Sequence, residues 1–211
     1  MAINDTTIKD VFRYENLLPG KEYSITGKVM LKPAGNEEPI QLQAQMVDKD
    51  GSPIEKWTFT AAGANGSETL YFKINAADLA GRSTVLYERV EYSGVDVIVH
   101  EDINNGDQTV NFPYGGTSAT DSETEDHIAN ADEEVTIYDE VKYHNLTPGA
   151  SYVAKGTLMD KETGGPVTVN GSPVTGETEF IADKADGSVI VEFTFNGSAL
   201  KGKTTVAYET I

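Results

Sequence analysis

Cysteine is absent from this chain of 211 residues, which excludes disulfide bonds and thiolate metal sites. Basic residues are scarce, because 16 Lys and Arg stand against 34 Asp and Glu for a net charge of -18. So acidic a surface repels phosphate groups, which excludes nucleic acid and anionic lipid as partners. No apolar run approaches the ~18 residues that a membrane span needs. The N-terminal residues also lack the apolar segment (h-region) that a signal peptide carries, so we expect no signal peptide.

Long stretches with a helical period are lacking as well. Residues 22–30, 152–159 and 189–195 instead alternate between apolar and polar side chains, as half-buried strands do. Dipeptides such as Asn65-Gly66 and Asp186-Gly187 mark tight turns between the runs. Short strands at this spacing predict an all-β fold of the sandwich type.

The chain repeats itself. Residues 10–20 read DVFRYENLLPG and return as residues 139–149, DEVKYHNLTPG, at an offset of 129. Further along, residues 85–88 (VLYE) return as residues 206–209 (VAYE), at an offset of 121. A repeat of this length indicates two copies of one domain, and we place them at residues 1–113 and 114–211.

The segment between the copies, residues 113–134, is rich in Gly, Ser, Thr, Asp and Glu. This composition is typical of a disordered linker. We favour a different interpretation, in which residues 113–116 form a short hinge. The first strand of the second domain then follows at residues 117–120, and an acidic loop comes after it.

The segment from His100 to Val110 carries the most chemical information. Gln108 lies eight residues after His100 and opens a strand-like run, and Glu88 closes an apolar run twelve residues before that histidine. Each residue alone has an ordinary interpretation, since glutamates at strand ends are usually solvated. Acidic side chains near Gly106 suggest a calcium loop, but the glycine comes one place early for an EF-hand, so we predict no metal.

Together these features resemble the T-Q ester-bond domains, the VaFE-type repeats of Gram-positive cell-surface adhesins. The matching pieces are Ile8-Lys9-Asp10 with Tyr14, the Asn-Leu-x-Pro-Gly turn, residues 156–161 (GTLMDK), the Tyr-Glu ends and the His100 segment. The resemblance covers nearly the whole chain. It implies two tandem Ig-like β-sandwich domains, in each of which a threonine of the first strand is esterified to a glutamine of the last.

Carried over by position, the resemblance also implies roles for single residues. The crosslinking residues would be Gln108 in the first domain and Thr117 in the second, with Thr120 as the alternative. Their helpers would be Asp10, Glu88, His100, Asp139 and Glu209. Which carboxyl acts as base and which as proton donor stays open, and so does whether His100 relays a proton or holds Glu88 in place.

The two copies differ at their ends. Asp10 follows only nine residues of chain, whereas Thr117 precedes Asp139 by 22 residues. We therefore expect the first domain to lack its threonine strand. The sequence stops two residues after Glu209, so we expect the second domain to lack its glutamine strand.

The expected function is a structural stalk segment of a cell-wall-anchored, extracellular adhesin. Its crosslinks would be autocatalytic, with no cofactor and no external substrate, so we predict that it is not an enzyme. Its partners would be neighbouring stalk domains or a complementary strand supplied in trans. The alternative is an Ig-like module that binds a ligand or carbohydrate without crosslinking. A hydrolase is disfavoured, because the second copy has no counterpart of His100.

Overall fold

A computed structural model describes residues 5–35 and 37–211. Residues 1–4, on which the prediction of no signal peptide depends, lie outside the described residues. The chain divides into two compact units, Met1–Phe112 and Pro113–Ile211, called unit 1 and unit 2 below. Antiparallel strands make up almost all of the regular structure in both, so the predicted all-β fold with two tandem domains is confirmed.

Unit 1 consists of two packed sheets. Its strands are β1 (Thr6–Tyr14), β2 (Glu22–Leu31), β3 (Ile40–Gln41), β4 (Ala44–Val47), β5 (Trp57–Thr60), β6 (Gly66–Ile74), β7 (Ser83–Tyr92), β8 (Val95–His100) and β9 (Thr109–Asn111). One sheet has the order β1-β6-β4, and the other has the order β3-β2-β7-β8, with β5 also paired to β2 and β9 to β7. Apolar side chains of both sheets, Leu70, Phe72, Ile25 and Val90 among them, are fully buried between them.

Unit 2 repeats this arrangement. Its strands are β10 (Tyr114–Asp121), β11 (Val135–His144), β12 (Ser151–Asp160), β13 (Thr168–Val169), β14 (Ser172–Pro173), β15 (Thr175–Ile181), β16 (Gly187–Phe195) and β17 (Thr205–Thr210), with a 3₁₀ turn at Ser198–Leu200. The sheets have the orders β10-β11-β16 and β15-β12-β17, and β13 and β14 form a small hairpin. Leu158, Val191 and Phe193 are central in its core.

The sequence repeat is also a repeat of strand register. Strands β1, β2, β6 and β7 of unit 1 correspond to β11, β12, β16 and β17 of unit 2. The matching cross-strand pairs are Gly27–Glu88 with Gly156–Glu209, and Asp10–Leu70 with Asp139–Val191. Because a slip of one residue would turn every side chain to the other face, equal register puts equivalent residues in equivalent places.

The units differ at the edges of their sheets. In unit 1, β8 and β9 pair with the outer edge of β7, whereas within residues 5–35 and 37–211 no strand pairs with the corresponding edge of β17. In unit 2, β10 pairs with the outer edge of β11. No strand in the described part of the chain does the same for β1. Among the described residues, each unit therefore leaves unpaired one strand edge that is paired in the other unit: that of β1 in unit 1 and that of β17 in unit 2.

The predicted hinge at residues 113–116 is wrong for its last three residues, since β10 begins at Tyr114. The two glycines after Tyr114 have low strand propensity, but pairing with β11 overrides it. Tyr114 also stacks on His144, with ring centroids 6.0 Å apart. Pro113, which has no backbone N–H to donate, directly precedes the strand.

Gly27 and Gly156 have no room for a side chain. A Cβ atom on Gly27 would collide with the ring of Phe72, and one on Gly156 with the ring of Phe193. We expect Gly27→Ala to lower the free energy of unfolding of unit 1 by about 1–3 kcal/mol, as overpacking does. Denaturation followed by the fluorescence of Trp57, the single tryptophan, measures it. Gly63→Ala is the control, because a Cβ there meets only an ordinary contact; an equal loss in both variants would contradict the prediction.

Candidate functional site

Two carboxyl groups face each other inside unit 1. Alternation along β1 turns Asp10 inward between Ile8 and Phe12, and alternation along β7 turns Glu88 inward between Leu86 and Val90. Asp10 is 8% exposed and Glu88 is 0% exposed. The residue directly opposite Glu88 on β2 is Gly27, where the ring of Phe72 occupies the place that a side chain would take.

Burial and mutual repulsion make these carboxyls hold a proton. Desolvation raises the pKa of Glu88 to about 8, with further contributions from the charge of Asp10 and from a hydrogen bond between the two side chains. Desolvation also raises the pKa of Asp10. Near neutral pH the pair therefore keeps one proton, so it contains both a proton acceptor and a proton donor.

His100 contacts this pair from β8. Its position directly opposite Glu88 in the β7–β8 register brings Nδ1 to 3.3 Å from Glu88 Oε2. The imidazole is 31% exposed, whereas the Glu88 side chain is fully buried. His100 thus lies between the buried carboxyl group and solvent.

Gln108 directly precedes β9, and its carbonyl oxygen accepts a hydrogen bond from Leu86 N at 3.1 Å. Since Thr109 pairs with Val85, Gln108 is opposite Leu86 and faces the same side of the sheet as Glu88. Its side-chain Oε1 is buried and has no hydrogen-bond partner among the described residues. The register therefore brings the carboxamide to the sheet face that carries the carboxyl pair.

Several other buried oxygen atoms of unit 1 also have no partner in the described part of the chain. They are Asp10 Oδ2, Glu88 Oε1 and Thr84 Oγ1, and all three residues are buried. Buried polar atoms in native proteins are nearly always paired, so each exception calls for an explanation. For Asp10 Oδ2 and Glu88 Oε1 the proton shared by the carboxyl pair supplies one, because a protonated carboxyl can donate to its neighbour.

Asn105 is a site residue that sequence reasoning did not find. Its amide Nδ2 lies 2.9 Å from His100 Nε2, and its Oδ1 accepts the backbone N–H of Gln108 at 3.1 Å. Its backbone carbonyl accepts the hydroxyl of Thr109 at 2.7 Å. The sequence offered only the Asn105-Gly106 pair, which reads as an ordinary turn signal.

Unit 2 contains the same carboxyl pair. Asp139 on β11 is 0% exposed, and Glu209 on β17 is opposite Gly156. Desolvation raises the pKa of Glu209 to about 8, the neighbouring Asp139 carboxyl raises it further, and a hydrogen bond from the Thr117 side chain lowers it. Both Asp139 carboxylate oxygens and Glu209 Oε1 are buried without a well-oriented partner among the described residues.

Strand register separates Thr117 from Thr120. Thr117 pairs with Val141, a core residue of β11, whereas Thr120 pairs with the exposed Tyr138. Directly opposed residues point to the same face of a sheet. Thr117 therefore lies on the inner face of β10, where it is exposed to solvent, and the half-buried Thr120 lies on the outer face. The inward position explains how the Thr117 hydroxyl reaches Glu209.

A cavity of about 510 Å³ opens beside Thr117. Thr117 and Ala119 of β10 line it together with Val206 and Ala207 of β17. Val206 is 38% exposed, whereas its counterpart Val85 in unit 1, which pairs with β9, is 0% exposed. The cavity of unit 2 thus borders the strand edge that β9 occupies in unit 1.

In the described ranges, no group of three or more His, Asp or Glu side chains is arranged to hold a metal ion. No helix found there is long and apolar enough to cross a membrane.

The fold and the site define a class of two-sheet β domains with a buried carboxyl pair beside a strand-borne threonine or glutamine. The family model of the T-Q ester bond containing domain matches residues 1–112 and 114–211. The chain therefore belongs to this family as a tandem of two domains, and the resemblance found in the sequence is confirmed. None of the curated proteins compared with the chain matches it.

Proposed function

We propose that this chain is a structural stalk segment of a Gram-positive, cell-wall-anchored adhesin whose domains form autocatalytic Thr–Gln ester crosslinks. Family membership supports the setting, because T-Q ester domains occur in extracellular surface proteins. The observation that carries the proposal is a carboxyl pair in each unit, buried in unit 1 and partly buried at Glu209 in unit 2. In unit 1 Glu88 lies on the same sheet face as Gln108, and in unit 2 Glu209 lies beside the Thr117 hydroxyl.

The pair supplies what the reaction lacks. A threonine hydroxyl attacks a carboxamide only if its proton is removed and the oxyanion is stabilised. The ionised carboxyl takes the hydroxyl proton as Oγ1 bonds to the glutamine Cδ. The protonated carboxyl donates to the amide, the C–N bond breaks, and ammonia leaves with the ester formed. Holding the reacting groups on fixed strands contributes about 7–11 kcal/mol to lowering the barrier.

Such a bond suits a load-bearing domain. It would join the first strand of one sheet to the last strand of the other, so that force passes through covalent bonds and not through strand hydrogen bonds. The crosslinking reaction takes place once in each domain and uses up two side chains of that domain. The chain therefore acts on no external substrate, and we do not assign it enzymatic turnover.

An extended chain tests the proposal. Ile211 corresponds to Val90 at the offset of 121, so residues 91–112 copied after Ile211 would follow in register and bring β8 and β9 to unit 2. We expect the intact mass to be lower than the calculated mass by one ammonia. Thr117→Ala, or Ala in place of the copied glutamine, should each restore the calculated mass. If the extended chain folds and its intact mass equals the calculated mass, the result would contradict crosslinking.

The cavity of about 510 Å³ beside Thr117 favours one alternative, an Ig-like module that binds a ligand or carbohydrate without crosslinking. Polar and apolar groups mix in its lining, as in many small-molecule sites. The extended chain separates the two functions. A crosslinked domain loses ammonia, whereas a binding module keeps its full mass.

A further inference from the structure

Asn105 bridges the two halves of the unit 1 site. Its side chain contacts the imidazole of His100 through Nδ2 and the backbone of Gln108 through Oδ1, at 2.9 and 3.1 Å. Its own backbone is held in turn, because Asn105 N donates to Asp102 O at 3.1 Å and Thr109 Oγ1 donates to Asn105 O. The residue is thus fixed at both its main chain and its side chain.

These contacts determine which way the amide of Asn105 points. The backbone N–H of Gln108 can only donate, so the atom facing it must be the acceptor Oδ1. The NH₂ group of Asn105 then faces His100 Nε2 and donates to it. A nitrogen that accepts a hydrogen bond has a free lone pair and carries no proton. The imidazole of His100 therefore carries its proton on Nδ1, where it donates to Glu88 Oε2 at 3.3 Å.

We propose that Asn105 is a positioning residue, which holds His100 as the neutral Nδ1–H tautomer and ties that tautomer to the placement of Gln108. The other tautomer would put an N–H of the ring against the Asn105 amide, so this contact selects the Nδ1–H form. His100 then engages Oε2 of Glu88, which leaves Oε1 facing Asp10 and the reacting groups. This inference rests on the proposed ester-forming function.

The role of His100 becomes defined as a consequence. It orients the Glu88 carboxyl group through the Nδ1–H hydrogen bond to Oε2. The same asparagine holds the N–H of Gln108, so one side chain sets the position of the acyl donor relative to the carboxyl pair. Asn105 acts through its neighbours and touches none of the reacting atoms.

Two substitutions and a control test the assignment in the full chain. Asn105→Asp keeps an oxygen for Gln108 N but puts a second oxygen against Nε2, which should move the proton of His100 to that nitrogen. Asn105→Ala removes both contacts. Asn104→Asp makes the same charge change at the neighbouring exposed position and should leave His100 unaltered. The readout is the ¹⁵N spectrum of the imidazole nitrogens near pH 7, which distinguishes protonated from unprotonated nitrogens.

A wild-type His100 with a protonated Nε2 would overturn the proposal, as would an unchanged spectrum in Asn105→Asp. The spectrum is read without any crosslinking, so it decides the tautomer even if the proposed function fails. The chain has three histidines, so the signals of His100 can be assigned as those that disappear when this residue is substituted.

The effect on the reaction is measured with a peptide of residues 114–121, which carries Thr117, offered to unit 1. At the offset of 129 its threonine would lie opposite Phe12 on the open edge of β1. We expect Asn105→Asp to slow ester formation by about 10–100-fold, as the loss of residues that orient a histidine does elsewhere. Trp57 fluorescence checks that the variants are folded at the temperature used.

An unaltered rate in Asn105→Asp together with a shifted tautomer would overturn the positioning role. A loss of rate with an unshifted tautomer would overturn the tautomer assignment. If the wild-type chain forms no ester with the peptide, the proposed function of unit 1 fails. The ¹⁵N spectrum then still decides what Asn105 does to His100.

Discussion

We expect a peptide of residues 95–112 to become covalently attached to unit 2 through Thr117. The outer edge of β17 has no partner strand in the described part of the chain, and its free N–H and C=O groups can accept an added strand. The cavity beside Thr117 lies along the same edge. Intact-mass spectrometry should show an adduct whose mass is the sum of chain and peptide less one ammonia.

Two threonine variants make this result specific. Thr117→Ala should abolish the adduct while leaving non-covalent binding of the peptide intact, because the proposed nucleophile is removed. Thr120→Ala should react like the wild type, because that side chain faces outward with Tyr138. A peptide with Gln108→Ala should bind without reacting. If attachment survives Thr117→Ala and stops in Thr120→Ala, the nucleophile is the other threonine.

Unit 1 loses stability as the pH rises from about 4.5 to about 8, and Glu88 is the main cause. Burial raises the pKa of Glu88 from its ordinary 4.5 to about 8. In that window the unfolded chain releases the proton while the folded unit keeps it. Folding is therefore favoured at low pH, and this contribution disappears as pH passes the folded-state pKa. The loss should amount to at most roughly 5 kcal/mol of unfolding free energy, because one pKa unit corresponds to about 1.4 kcal/mol.

Glu88→Gln tests the cause, since the amide keeps the shape without the titration. We expect this variant to have a flatter pH profile and to exceed the wild type in stability at pH 8 but not at pH 5. Urea denaturation followed by Trp57 fluorescence reports on unit 1 alone. Glu22→Gln removes an exposed carboxyl from β2 and should follow the wild type. Parallel profiles for wild type and Glu88→Gln would refute the assignment.

Much of the molecule was already determined by the sequence. The alternation of apolar residues and the turn dipeptides predicted strands, because these are local properties of the chain. The repeat predicted two like domains, and the equal register of Gly27–Glu88 and Gly156–Glu209 is its structural form. The residue types around His100 and Gln108 pointed to the family that the comparison then matched.

Other features were decided only by tertiary structure. The choice of inward threonine depended on which residue of β11 pairs with Thr117, and a pairing register is not written in either strand alone. The hinge predicted at residues 113–116 is mostly strand, because a partner strand supplies hydrogen bonds that glycine propensity does not anticipate.

Asn105 shows the same limit at the level of one side chain. In the sequence it is half of a turn dipeptide, and only the folded loop places its two amide atoms against His100 and Gln108. The raised pKa of Glu88 likewise comes from its full burial facing Asp10, which lies 78 residues earlier in the chain. The sequence thus determined which chemical groups are present, whereas their protonation and orientation depend on desolvation and on neighbours that only the packed sheets bring together.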